Sequence, residues 1–314
     1  MSYKMYTPDS FTKWFERQIK KQKIAHNLPV DELPNGVIVV DPKTFGFGAF
    51  DARGRFVKSS RQVRKNNGQF VPKLPKNMPY RDIDVIYFGN VYPQFGHFLL
   101  EHMNRAWGTL RDEYKGAKVV LINNKRHDKI PGYMYDLLTI LGVARRDIII
   151  LDETTRFRRV IIPHQGFNLP IMSSDEFASA FQHMRERVKG GGSAEKIYMS
   201  RDKLGERRTY GERAVQKIFE KNGFKIIYPE TMSIADQIAA VKNCRVLAGC
   251  AGTALHLALF MPRGGTVIQL SRNTMKDGPA PTQYLIDRVL DHDSIFIAAS
   301  IEEMVTGHGG FAPQ

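Results

Sequence analysis

Short apolar runs alternate with stretches of helical spacing along most of the chain. Val37-Ile38-Val39-Val40, Asp84-Val85-Ile86-Tyr87-Phe88, Val119-Val120-Leu121-Ile122, Ile148-Ile149-Ile150-Leu151 and Val160-Ile161-Ile162 read as buried strands. Helices are predicted from about Gly96 to Arg111 and from Tyr133 to Leu141. The stretch from Phe45 to Arg64 is rich in glycine with alternating residues and reads as a hairpin or loop region. Strands alternating with helices predict a parallel α/β sheet.

Lys189-Gly190-Gly191-Gly192-Ser193 is the clearest linker signal. Beyond it the alternation is cleaner. Strands are predicted at Ile197-Tyr198-Met199-Ser200, Lys225 to Tyr228, Val246-Leu247-Ala248 and Thr266 to Leu270, with helices at Glu212 to Asn222, Ser233 to Lys242 and Gly252 to Phe260. Gly223 suits a helix end, and Thr231 or Ser233 a helix start. Such a segment makes one Rossmann-type domain. The expected division is a basic amphipathic arm at 1–30, an amino-terminal α/β domain at 31–188, a linker at 189–193, a Rossmann-like domain at 194–276 and a tail at 277–314 packing back on the first domain. Two α/β domains with a cleft between them are the simplest architecture.

In the arm, Phe11, Trp14, Phe15 and Ile19 recur at helix spacing after Asp9 or Ser10, with Lys13, Arg17, Lys20 and Lys21 between them. One reading is a helix lying in a lipid interface, its cations at anionic headgroups. The other is a surface helix packing its aromatic stripe on its own core.

Composition narrows the class. Of 314 residues, 42% are hydrophobic and 25% charged, ordinary values for a folded soluble protein that exclude disordered, collagen-like and disulfide-scaffold chains. No apolar run approaches a membrane span, and no segment resembles a signal peptide. With only Cys244 and Cys250, a reducing cytoplasm is the expected location. The net charge of +14 is uneven: residues 1–80 carry 15 Lys/Arg against 6 Asp/Glu, a net +9. An anionic partner near that end is implied: a membrane surface, a nucleic acid or an acidic polymer. No recognised nucleic-acid motif or stacking platform is present, so a nucleic acid is not the expected partner.

Three stretches carry candidate chemistry. In Leu247-Ala248-Gly249-Cys250-Ala251-Gly252-Thr253-Ala254-Leu255 a strand ends in small residues and a helix begins at once. The first turn of a helix presents unpaired N–H groups, and small residues let a phosphate approach them. The same string also suits a tight turn inside a core. Ser200-Arg201 ends another strand and is followed by Arg207-Arg208; arginines there can hold a diphosphate bidentately. His97-Phe98-Leu99-Leu100-Glu101-His102-Met103-Asn104-Arg105 puts His97, Glu101, Asn104 and Arg105 on one helix face, with a histidine one turn from a carboxylate as a workable general base. A satisfied surface pair is the plainer alternative. A zinc reading fails on spacing, because His97 and His102 are five residues apart. Asp82-Ile83-Asp84 and Asp291-His292-Asp293 are D-x-D strings that can hold a divalent cation and are also common by chance.

These blocks, in this order, resemble glycosyltransferase family 61. Gly96-His97-Phe98-Leu99-Leu100-Glu101 is similar to the family's aromatic-x-His-Phe segment. Ile197-Tyr198-Met199-Ser200-Arg201 with Arg207-Arg208 and Glu212 is similar to its I-Y-x-S-R…R-[KR]-x-x-N-E pattern. Tyr228-Pro229-Glu230 through Gln237, then Gly249 to Phe260, resembles its P-E…S…Q…G-x-H-G-A-x-L…F run. Together they span about 84–270. Two positions depart: the Asn before Glu212 is Gly211, and the His of the glycine turn is Ala251, for which His256 or Thr253 would have to substitute.

The resemblance implies a GT-B fold of two Rossmann-like domains. It also implies inverting transfer of a sugar (hexosyl, pentosyl or N-acetylhexosaminyl) from a nucleotide-sugar to a glycan hydroxyl, with no metal or other cofactor. On that reading Arg201, Arg207, Glu212, Glu230, Gly252, Thr253 and Ala254 bind the donor. His97 and Glu101 are catalytic, and Asn104 and Arg105 lie on the acceptor side. A lipid-linked acceptor in bacterial surface polysaccharide synthesis would give residues 9–25 a role at the inner membrane face. The rival readings are a polyanion- or nucleic-acid-binding α/β protein, a metal-dependent GT-A-type transferase using Asp82 and Asp84, and a relative that has lost catalysis.

Overall fold

The computed structural model describes residues 2–7, 9–41, 46–62, 73–123, 130–204, 211–271 and 281–298. They form two compact α/β units. One holds residues 24–180; the other joins the described residues up to Lys23 to those from Phe181 onward.

The 24–180 unit is built on a mixed sheet. Its strand order is Gly46–Phe50, Val37–Asp41, Thr155–Pro163, Tyr80–Asn90, Lys118–Ile122, Ile148–Leu151, and Val30–Pro34 also pairs with Thr155–Pro163. The last four strands of that order run parallel, as their alternation with helices predicts. The remainder departs from the all-parallel expectation: Val37–Asp41 pairs antiparallel with Gly46–Phe50 and with Thr155–Pro163. A strand followed so closely by its partner closes a hairpin, whereas a parallel pair needs a long crossover. Alternate residues build the core, since successive side chains of a strand point to opposite faces. Ile38, Val40, Val85, Tyr87, Val120, Ile122, Val160 and Ile162 share one cluster.

The other unit carries an all-parallel six-stranded sheet. The order is Tyr3–Tyr6, Asp293–Ile297, Thr266–Leu270, Val246–Cys250, Lys196–Met199, Lys225–Ile227. Helices Glu212–Lys221 and Ile234–Val241 and the 3-10 stretch Thr253–Phe260 connect its central strands. Ser233 caps the second of these by accepting the Asp236 N–H at 3.2 Å.

Three segments set apart in the expected division fall within this unit. Residues 2–23 are an integral layer of this unit. Tyr3–Tyr6 is the edge strand, and on helix Asp9–Ile19 the Phe15 ring is buried, edge-on to Tyr3 at 5.8 Å and Tyr284 at 5.2 Å. The described part of the tail belongs to this same unit. Helix Pro281–Val289 and strand Asp293–Ile297 extend the parallel sheet, because the new strand pairs with the backbone N–H and C=O groups that Thr266–Leu270 would otherwise leave open. The 189–193 run lies inside the same unit, and the Gly192 N–H donates to Ala239 O at 2.9 Å. A Cβ on Gly191 would come within 2.7 Å of Asn243 Nδ2, so glycine here permits docking rather than free linkage. Both cysteines are buried thiols, and no helix among the described residues is long and apolar enough to cross a membrane.

Candidate active site

The parallel sheet changes direction of strand addition between Lys196–Met199 and Val246–Cys250. Lys225–Ile227 joins one side of Lys196–Met199, and every later strand lies on the other. Ligands of open α/β sheets bind beyond the carboxyl ends of strands at such a switch point. Met199 is in register with Gly249 and with Ile227, so the turns at Ser200-Arg201, Ala251-Gly252-Thr253 and Pro229–Thr231 leave three neighbouring strands at the same end. Glycine at 249 eases this approach, because a Cβ there would crowd Met199 O at 3.0 Å. Arg201, Glu230, Gly252, Thr253 and Ala254 are thus gathered on one edge. Glu230 and Thr253 are exposed, the other three half-buried. Arg207 lies outside the described residues.

Glu212 sits beneath this edge rather than on it. It is buried, and its Oε1 accepts the Arg201 backbone N–H at 2.8 Å and the Tyr198 hydroxyl at 3.2 Å. Burial, with Cys250 and Glu212 alongside, raises the Tyr198 phenol far above its usual range and keeps it a donor. Gln216 Nε2 donates to Ser200 Oγ at 2.7 Å, and Tyr228 Oη donates to Gln216 Oε1 at 3.2 Å. The Arg201 turn is therefore fixed by groups the sequence reading had not singled out; Gln216 is one helical turn beyond Glu212, the only signal that could have found it. Gly211 precedes that helix with φ +71°, a left-handed conformation that both Gly and the family's Asn tolerate. Thr253 opens its 3-10 stretch. His256, one turn on, is tied inward: its Nδ1 lies 2.9 Å from Gln283 Oε1, Gln283 Nε2 donates to Asp287 Oδ1 at 2.8 Å, and the Ser294 hydroxyl donates to Asp287 Oδ2 at 2.6 Å.

In the 24–180 unit, the predicted helix spans 95–110 as three turns of different pitch. It begins at Phe95–His97, widens to a π turn over Phe98–His102 and tightens to 3-10 over Met103–Leu110. Such widened turns are frequent at functional sites. His97 Nδ1 lies 2.5 Å from Glu101 Oε1; the imidazole is 35% exposed and the carboxylate 7%. A carboxylate on Nδ1 fixes the ring's orientation and makes that nitrogen the N–H, so a proton taken up by the ring goes to Nε2.

The changing pitch turns the other residues inward. His102 is fully buried, with Gln62 Nε2 3.0 Å from Nδ1 and the Tyr92 N–H donating to Nε2 at 3.0 Å. Asn104 and Arg105, expected on the acceptor side, are both inaccessible. Asn104 Nδ2 donates to Phe167 O at 3.3 Å. The Arg105 guanidinium donates to the backbone carbonyls of Pro163, Ser59 (2.6 Å) and Arg61 (2.9 Å), and burial draws it down to about 10. Both act as struts, because Asn104 Nδ2 and the two terminal guanidinium nitrogens of Arg105 are spent on main chain.

The D-x-D strings are occupied in other ways. Asp84 accepts from Arg158 Nε at 2.8 Å and Arg159 Nη2 at 2.6 Å; burial acts to raise its carboxyl, but the two guanidiniums hold it below the usual range. Asp293 accepts from Ser2. Among the described residues, no three His, Cys, Asp or Glu side chains cluster in a way that could hold a metal ion.

The family model for Glycosyltransferase 61 matches residues 95–268, more than half of the chain. The chain belongs to glycosyltransferase family 61. The match opens on the segment bearing His97 and Glu101 and closes in the strand after the Gly252 turn, so it covers both groups of candidate residues. Comparison with curated proteins finds no match. As a family 61 glycosyltransferase, the protein takes a sugar donor and a glycan acceptor.

Proposed function

We propose that this family 61 glycosyltransferase transfers a sugar with inversion from a nucleotide-sugar to a glycan hydroxyl, without a metal ion. His97 is the base and the Arg201–Gly252 edge is the diphosphate site. The GT-B arrangement belongs to the same proposal, with the donor on the parallel-sheet unit and the acceptor on the other. The observation that carries it is the His97–Glu101 pair: a partly accessible imidazole held by a nearly buried carboxylate at 2.5 Å. Burial of Glu101 favours His97 over Glu101 as the group that meets the acceptor.

In the proposed step, His97 Nε2 removes the acceptor's hydroxyl proton as that oxygen bonds to the sugar's anomeric carbon. The bond from this carbon to the diphosphate oxygen breaks, and the electron pair leaves with the nucleoside diphosphate. Arg201 and the N–H groups at Gly252, Thr253 and Ala254 meet the charge that develops there. Arg207 joins them in this reading, Glu230 accepts from ribose hydroxyls, and Glu212 acts through the Arg201 turn. Bacterial surface polysaccharide synthesis in the cytoplasm, on a lipid-linked acceptor, is the proposed setting. The exposed Lys13, Arg17, Lys20 and Lys21 support an anionic membrane face.

His97→Ala is expected to lower turnover by roughly 10²- to 10⁴-fold while nucleoside diphosphate binding, measured by calorimetry, stays intact. Arg201→Ala is expected to weaken that binding instead. Turnover near wild type in His97→Ala removes it from the role of base.

A further inference from the structure

Behind the Gly252 turn a line of hydrogen bonds runs into helix Pro281–Val289. It begins at His256. Residues three apart in a 3-10 stretch eclipse, so the side chains of Thr253 and His256 leave Thr253–Phe260 on the same side. Thr253 is exposed and His256 is buried. The His256 Nδ1 meets Gln283 Oε1 at 2.9 Å, Gln283 Nε2 donates to Asp287 Oδ1 at 2.8 Å, and the Ser294 hydroxyl donates to Asp287 Oδ2 at 2.6 Å. Gln283 and Asp287 are each only 2% exposed, so the orientation of the line is set at its buried end. A carboxylate can only accept. Asp287 therefore takes the amide N–H and turns the amide oxygen toward His256, which makes Nδ1 the donor of that ring. The far end of the stretch is tied separately, with His292 Nε2 3.2 Å from Ala258 O.

We propose that Gln283 and Asp287 position the start of this stretch, and that the donor's diphosphate is held more tightly when Asp287 is ionised. This rests on the diphosphate lying at the N–H groups of Gly252, Thr253 and Ala254. A hydrogen bond to a charged acceptor is roughly twice as strong as one to a neutral acceptor. Ionised Asp287 thus grips Gln283, and through it His256, harder than the protonated acid does. A stretch already held in place need not be ordered by the ligand, so its binding costs less. Binding and ionisation are then reciprocal: the diphosphate favours the carboxylate, and a proton leaves. Burial brings that proton near neutral pH by raising the Asp287 carboxyl to about 7. Several other groups face Asp287. Tyr284 and Arg288 lie on its own helix, and Tyr3 and Lys4 of the edge strand line the same small cavity. Glu16 of helix Asp9–Ile19 accepts the Tyr3 hydroxyl at 3.0 Å, and the His292 N–H donates to Asp287 O at 2.9 Å. Burial raises the two phenols and lowers His292 to about 4, so all three stay neutral between pH 5.5 and pH 8. Gln283 and Asp287 are positioning residues, acting through His256.

The test uses the full chain and calorimetry from pH 5.5 to pH 8, with the diphosphates of uridine, guanosine, adenosine and thymidine; the tightest binder serves as the probe. Asp287→Asn keeps an acceptor for Gln283 but never a charged one. It is expected to bind the probe as wild type does at pH 5.5 and about three- to tenfold more weakly at pH 8. The probe's own titration cancels in that ratio. In buffers of different ionisation enthalpy, wild type is expected to release roughly 0.3 to 0.5 of a proton more than Asp287→Asn on binding near pH 7. A residue serving stability alone would move neither readout. Gln283→Met cuts the line, and adding Asp287→Asn to it is expected to change nothing further. A ratio of wild type to Asp287→Asn that stays constant with pH, or one that favours Asp287→Asn at pH 8, overturns the inference. Arg201→Ala separates the two claims. If it weakens the probe while Asp287→Asn binds as wild type throughout, the positioning role alone fails. If Arg201→Ala binds as wild type, or none of the four diphosphates binds, the donor site fails and the inference with it.

Discussion

Asp287→Asn should turn a nearly flat acid profile into a steep one. The Asp287 carboxyl is buried in the sheet's last crossover helix, where it accepts from Gln283 and Ser294. Burial raises it from 3.8 to about 7, against the pull of those two donors. The unfolded chain releases this proton near 3.8 and the folded chain only near 7. The stability it contributes is present below pH 3.8 and is lost as pH rises to about 7, about 4 kcal/mol over roughly three pH units.

His292 works in the opposite sense across almost the same window. It is buried, its Nδ1 accepts the Gly265 N–H at 3.0 Å, and its Nε2 lies 3.2 Å from Ala258 O. Protonation would set a second N–H against that of Gly265. Burial accordingly lowers it from 6.5 to about 4. Its contribution is present above 6.5 and lost as pH falls to about 4, about 3 kcal/mol. The two slopes oppose each other, and Asp287→Asn removes one of them. Asparagine can still accept from Gln283 and can donate to Ser294. The variant is expected to gain about 4 kcal/mol over wild type between pH 4 and pH 8, all of it accumulated below about pH 7. Urea unfolding at constant ionic strength measures the difference, with Trp14 reporting on this unit. A difference constant to about 1 kcal/mol across that range refutes the reasoning.

Arg105→Met should cost about 3–5 kcal/mol in urea unfolding of the 24–180 unit, because three backbone carbonyls lose a charged donor they cannot replace with water; a loss below about 1 kcal/mol would show the strut to be dispensable. On helix Asp9–Ile19 the two faces should separate cleanly. Phe15→Ala should cost about 3–5 kcal/mol of stability. Lys13, Arg17, Lys20 and Lys21 changed together to Glu should leave stability within about 1 kcal/mol and abolish binding to vesicles containing anionic lipid. Equal vesicle binding by the charge-reversed and wild-type proteins would refute the membrane role.

The parts legible in the sequence are those where local pattern and tertiary role agree. Thr266–Leu270 and Ile148–Leu151 match their predicted bounds, and helix Ile234–Val241 begins at the Ser233 cap. Each is an apolar run or stripe bounded by its own turn chemistry. The elements missed are those whose stability is borrowed. Tyr3–Tyr6 and Asp293–Ile297 are short, partly polar strands that exist because they pair with each other and with Thr266–Leu270. The Gly run at 190–192 has the composition of a linker, and only its contact with Ala240 and Asn243 shows otherwise.

The same distinction divides the candidate site. A spacing of four made His97 and Glu101 legible as a pair, because any helical turn brings such residues together. Asn104 and Arg105 were placed with them by assuming one uniform pitch. The chain instead passes from a π turn to a 3-10 turn between Glu101 and Asn104, which rotates the later residues into the interior. His102 at the end of the wide turn is held by Gln62 and Tyr92, and Arg105 beyond it by three carbonyls; apart from Tyr92 those partners come from distant parts of the chain. The His97–Glu101 pair is thus local, and the geometry around it is not. Substitutions that loosen Arg105 or His102 should therefore disturb His97 without touching it.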